Sequence, residues 1–168
     1  MSILSRAFYR TRQFLGALNP AIGADEMEHA RRTLGDGLMP LFLSMTTRDQ
    51  RHCLDVFRGL LLTGCRDPHV LAAALLHDAG KGSLAGDPVH LHHRVAYVML
   101  NATFPGLLAR LARGRGGLAA LHHHAERGAA LAQAYGAPEG VAALIRRHET
   151  PAGGDEQLRL LRAADDSC

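Results

Sequence analysis

A chain of 168 residues with 47% hydrophobic and 21% charged residues has the length and balance of one globular domain, which excludes disordered, fibrous and collagen-like classes. Trp is absent and aromatics are 5%, so the core must be built from Leu and Ala, residues that favour helix over strand. The formal net charge of +3 is spread along the chain, so no nucleic-acid partner is expected. Three cysteines without a Cys-x-x-Cys pair argue against a disulfide framework and fit a reducing, cytoplasmic compartment.

In chain order, residues 3–18 place Leu4, Phe8, Leu15 and Leu18 on one side and Arg6, Arg10 and Gln13 on the other, an amphipathic N-terminal helix within residues 1–19. Its early arginines interrupt the apolar run that a signal peptide needs, and no stretch is long enough for a membrane span. A helix over 25–34 is broken by Gly35 and Gly37 before a short apolar run, 38–45. Thr47-Arg48-Asp49-Gln50 has the pattern of a capping box, opening a helix over 48–63 that stops at Gly64. Asp67-Pro68 opens the next, and Gly80 and Gly82 close it. Asp87-Pro88 starts a helix over 88–101, followed by a Gly/Arg loop at 113–117 and helices over 120–134, 138–149 and 156–166. Nothing alternates with period two, so the expected fold is all-α, one bundle of about seven to eight helices.

Four polar residues fall on the apolar faces of four different helices. His77 continues the row Val70, Ala73, Ala74; His148 ends Val141, Leu144, Ile145; Asp165 follows Leu158 and Leu161; His52 shares a face with Val56 and Leu60. Buried polar groups must pair or coordinate an ion. In the run His122-His123-His124, only His124 aligns with the apolar side through Gly128, Leu131 and Tyr135. Asp166 shares its face with Arg159 and Arg162, which makes it a solvated ion-pair partner. His52, His77, Asp78 and Asp165 form one possible ligand set, and Asp78 bridging to His124 and His148 a second. Nitrogen and oxygen donors without thiolate suit one or two divalent ions of iron, manganese, cobalt, nickel or zinc.

The order His52 … His77-Asp78 … His124 … His148 … Asp165 resembles the HD superfamily of metal-dependent phosphohydrolases. HDAGK at 77–81 is similar to its His-Asp-x-Gly-Lys signature, and HAERGAALA at 124–132 to the His-x-x-x-Gly segment of its binuclear members. IRRHE at 145–149 and RAADD at 162–166 supply the later His and Asp elements. The resemblance spans roughly 47–166, which would be the metal-binding core of a single HD domain over 1–168, and implies an all-α fold. It implies His52, His77, Asp78 and Asp165 as the mononuclear ligands, and His124 and His148 as those added by a second ion. The Gly-Tyr-Pro motif of members that cleave cyclic di-GMP is replaced by Glu149-Thr150-Pro151, so that substrate is not implied.

The expected activity is hydrolysis of a phosphomonoester or phosphodiester in a small substrate, with nucleotides as candidates, by a metal-activated water. Asp78 bridges the ions, and Lys81, the only lysine in the chain, donates to a phosphate oxygen or holds Asp78. His93, with Arg94 after it, is a candidate substrate contact, whereas His29, His69, His90 and His92 read as surface residues. Glu149 is placed to orient a neighbouring imidazole, and loops 82–87 and 149–155 to rim the pocket. Two other classes share this scaffold: a non-catalytic HD interaction or sensing module, and a di-iron HD-type oxygenase.

Overall fold

The computed structural model describes residues 21–168, so the expected helix within 1–19 lies outside the described residues. The fold is all-α. Nine helices and two short 3-10 turns make up the regular structure of the described residues, with no strand among them. No described helix is long and apolar enough to cross a membrane.

Helix α1, Ala24–Ser44, contains both the expected helix and the apolar run after it. Gly35, at φ 61° and ψ 179°, is non-helical and divides α1 into two helical stretches, the break expected there, and the apolar run after it is helical through Ser44. Helix α2, Thr47–Leu62, is capped by Thr46, one residue before the expected cap. The Thr46 hydroxyl accepts from the Asp49 N–H at 3.3 Å and donates to the Asp49 carboxylate at 2.8 Å. Gln50, expected to close the box, instead donates to the carbonyl of Met45 at 3.0 Å, tying α1 to α2.

Helix α3, Pro68–Leu76, starts as expected. The Asp67 carboxylate accepts from the N–H groups of His69 and Val70, and proline occupies the first turn, where no N–H is needed. Val70 and the whole run Ala72–Leu76 are buried, because α1, α2, α8 and α9 all pack around this helix. It ends earlier than expected, at His77, and passes into the 3-10 turn Ala79–Lys81.

Helix α4, Leu91–Thr103, begins three residues after Pro88, with His90 at its cap. A further helix, α5 (Pro105–Leu111), was not anticipated. Phe104, extended at φ −140° ahead of Pro105, separates it from α4. The helix expected over 120–134 is two, α6 (Gly117–His122) and α7 (His124–Ala134), with His123 at the break. Helices α8 (Glu139–Arg147) and α9 (Glu156–Asp165) complete the fold, the latter capped by the Asp155 carboxylate on Leu158 N–H at 3.1 Å. Phe42, Val56, Leu60, Leu75, Ile145, Leu158 and Leu161 form the centre of the core, each contributing about 1.5–3 kcal/mol by burial.

A close backbone contact sets the relation of the 3-10 turn to α7. Gly80 lies against the start of α7, where a Cβ would overlap the His124 carbonyl and come within 2.8 Å of Gly128 N. From the other side, a Cβ on Gly128 would meet Gly80 N at 3.0 Å. The glycines of HDAGK and HAERG are therefore the two faces of one contact, and it brings Asp78 beside His124.

Candidate metal centre

Helix ends supply the candidate ligands. His77 caps the C-terminus of α3, His148 caps that of α8, and Asp165 is the last residue of α9. Three helix C-termini thus meet at one place, and their dipoles make it attractive to cations. His52 comes from α2 and His124 from the first residue of α7.

Three of the histidines are oriented by the same device. His77 Nδ1 meets the carbonyl of Ala74 at 3.0 Å, His124 Nδ1 that of Leu121 at 2.7 Å, and His148 Nδ1 that of Ile145 at 2.7 Å. Each partner lies three residues back, among the carbonyls that a helix end leaves without a partner. A carbonyl can only accept, so the proton sits on Nδ1 and the Nε2 lone pair is directed inward.

The Nε2 atoms of these three and of His52 converge. His124 Nε2 and His148 Nε2 are 3.2 Å apart, and His52 Nε2 and His77 Nε2 are 3.3 Å apart. Asp78 Oδ1 lies 3.6 Å from His124 Nε2 and 3.8 Å from His77 Nε2. Asp165 Oδ1 is 2.9 Å from His52 Nε2 and 3.7 Å from His77 Nε2. The donors form two groups that share Asp78, one with His52 and His77 and one with His124 and His148, with the ligand atoms of each group within 4.8 Å of one another. Ligands bound to one ion at about 2.1 Å lie about 3.0–3.4 Å from their neighbours. The two imidazole pairs have that spacing. With their protons on Nδ1, His124 and His148 present lone pair to lone pair, an arrangement that a cation between them satisfies. The residues present therefore fit a divalent ion.

Charge at the site is arranged to the same end. Burial, followed by the nearby Lys81 charge, pushes His124 down to about 3, and burial, followed by the neighbouring His77, lowers His148, which favours the neutral form that a metal ligand takes. Burial works against the Asp78 charge, but Lys81 and the surrounding histidines hold its carboxyl well below the usual range. Lys81 Nζ donates to Asp78 Oδ1 at 2.7 Å. Burial is the strongest single influence on His52 and opposes its charge, but the hydrogen bond to Asp165 together with the Asp78 and Asp165 charges outweighs it and raises the imidazole.

All six expected ligands and Lys81 line one cavity of about 290 Å³. His93 and Arg94 are not among its lining residues. His93 accepts the His90 N–H at the start of α4 and packs against Gly117, while Arg94 is bound at 2.6 Å to the buried Asp49. Asp166 does line the cavity, and the ion pair expected for it does not form. Arg159 pairs with Glu156, and Arg162 donates to the Thr150 carbonyl at 2.6 Å. Of the two expected rims, Glu149 stands at the opening, 3.9 Å from His124 Nε2, but 82–87 contributes no lining residue. His122, read as outward, is half-buried beside Tyr97.

Two residues went unmarked in the sequence. Arg162 lines the cavity three residues before Asp165, a spacing that puts both on one face of α9. Asp49 is buried three residues before His52, and only its place in the cap of α2 marked it. Comparison with protein-family models, curated proteins and solved structures finds no match.

Proposed function

We propose that this protein is a metal-dependent phosphohydrolase of the HD type, acting on a small phosphomonoester or phosphodiester. The observation that carries the reading is the pair of three-residue donor groups sharing Asp78, with paired Nε2 atoms 3.2 and 3.3 Å apart. His52, His77, Asp78 and Asp165 would hold one ion, and Asp78, His124 and His148 a second. A bound divalent ion supplies Lewis acidity toward phosphate oxygens and lowers the pKa of a coordinated water.

The chain's own residues provide the rest. Lys81 keeps Asp78 ionised and fixes which oxygen faces the histidines. The Nδ1 hydrogen bonds hold the imidazoles in place, so little reorganisation is needed when substrate arrives. Arg162 lies in the wall with one nitrogen committed to Thr150, leaving the remainder of its guanidinium fork to meet a phosphate oxygen. Glu149, half-exposed at the opening, is the carboxylate available to take or return a proton at the leaving group.

Elemental analysis of the purified protein, then phosphate release over a panel of nucleotides and simple phosphoesters, tests this reading. Asp78→Ala should lose both bound metal and hydrolysis. Asp166→Ala, exposed in the wall and in neither donor group, should keep its metal. A metal-loaded protein that releases no phosphate but consumes oxygen with iron bound would replace the hydrolase with the oxygenase reading.

A further inference from the structure

Helices α4 and α5 carry a surface unlike the rest of the molecule. No residue of α4 is buried. Its outer face carries Leu91, Val95, Val98 and Met99, exposed by 65, 52, 67 and 63%, at spacings i, i+4, i+7 and i+8. Phe104, Leu107 and Leu111 continue that row through α5. These are seven of the eleven large apolar side chains exposed among the described residues, so such exposure is concentrated in α4 and α5 rather than scattered. The opposite side of α4 holds Arg94, Tyr97 and His93, which attach it to the rest of the protein through Asp49, His122 and Gly117.

The charge carried by this stretch of sequence has one sign. From Pro88 to Ala125 the sequence contains no Asp or Glu, and beyond Arg94, which is paired with Asp49, it has Arg110, Arg113 and Arg115. Arg110, Arg113 and Arg115 are exposed and follow or interleave with the apolar row. A helix with an aliphatic face and a cationic border fits the interface of an anionic lipid bilayer, where side chains enter the acyl boundary and arginines meet lipid phosphates. A second copy of the chain fits less well, because symmetric pairing would set these arginines against one another without a carboxylate between them. An amphipathic partner helix needs a groove, and a helix without a buried residue presents a ridge.

We propose that the α4–α5 face docks on anionic membrane surfaces, lying in the interface without crossing it. The test is sedimentation of the full-length, metal-loaded protein with vesicles of phosphatidylcholine alone, or with about 30% phosphatidylserine. Binding is expected only with phosphatidylserine and should weaken as salt rises. Val95→Asp/Val98→Asp should weaken it at least about tenfold. Arg110→Glu/Arg113→Glu, which leaves the apolar row untouched, should weaken it at least about thirtyfold. Circular dichroism and metal content should not change in either variant, since none of the four side chains is buried or lines the cavity. Vesicle binding that both variants retain in full would overturn the proposal and assign the binding to another part of the chain. No vesicle binding, with a concentration-dependent dimer that Val95→Asp/Val98→Asp abolishes, would overturn it in favour of a second copy.

Discussion

The helices around α3 and the α4–α5 segment carry similar apolar patterns put to opposite use. In α3, Val70, Ala73, Ala74 and His77 repeat at helical spacing and all are buried, with four neighbouring helices packed against them. In α4, Leu91, Val95 and Val98 repeat at comparable spacing and face outward. Periodicity shows that a helix has an apolar face, and only the packing of other helices decides whether that face becomes core. The candidate metal centre sits in the first region, where a close-packed interior gives its donor side chains fixed positions that an unpacked helix does not.

The largest difference between the regions should appear on truncating one side chain in each. Leu76→Ala removes a fully buried side chain one residue before His77 and should cost about 2–5 kcal/mol in urea unfolding. Val98→Ser, at 67% exposure, should stay within about 0.5 kcal/mol of the parent. A comparable loss at both positions would mean that α4 is covered in the folded protein and that the contrast fails.

A smaller effect is expected from Gly80→Ala, because the added carbon meets backbone of α7 rather than a side chain that could move aside. Overpacking of this kind costs about 1–3 kcal/mol, and relief requires Asp78 to shift away from His124. The variant should therefore lose metal affinity by a larger factor than its loss of stability alone would cause. Isothermal titration with zinc beside a urea melt separates the two. Loss of stability with unchanged zinc affinity would show that the glycine contact does not position the ligands.

Most residues of the candidate site are legible because a polar residue on an apolar helix face is visible from spacing alone. His77, His148, Asp165 and His52 were found that way, and His124 was separated from His122 and His123 by the same rule. Helix boundaries were less legible. The Pro88 start was displaced because Asp87 turns toward Arg127, 3.7 Å away, rather than capping a helix. The break at His123 has no composition signal, whereas Pro105, in the first turn of α5, marks that helix's start in the sequence. Arg94 was misplaced for a different reason. Its side chain is long enough to choose among several directions, and it takes the buried Asp49 carboxylate, an acceptor whose burial the local sequence does not announce.

The smallest expected effect concerns how the rim of the core region is held. Glu26 of α1 accepts from Arg51 of α2 at 2.7 Å and from the Gly23 N–H at 3.0 Å. The Arg51 hydrogen bond lowers its carboxyl to about 2, against partial opposition from burial. A folded-state pKa below the unfolded value gives stability that is complete above about 4.5 and is lost as pH falls toward about 2. Because the Glu26 side chain is 31% exposed, solvent screening limits that contribution to about 1 kcal/mol or less. Glu26→Gln should therefore lower the urea midpoint slightly at pH 7 and leave it nearly unchanged at pH 2. If the difference between the two proteins instead grows as pH falls, the α1–α2 junction is not held by this carboxylate, and the Gln50–Met45 hydrogen bond and the packing of Leu38, Met39 and Phe42 must carry it.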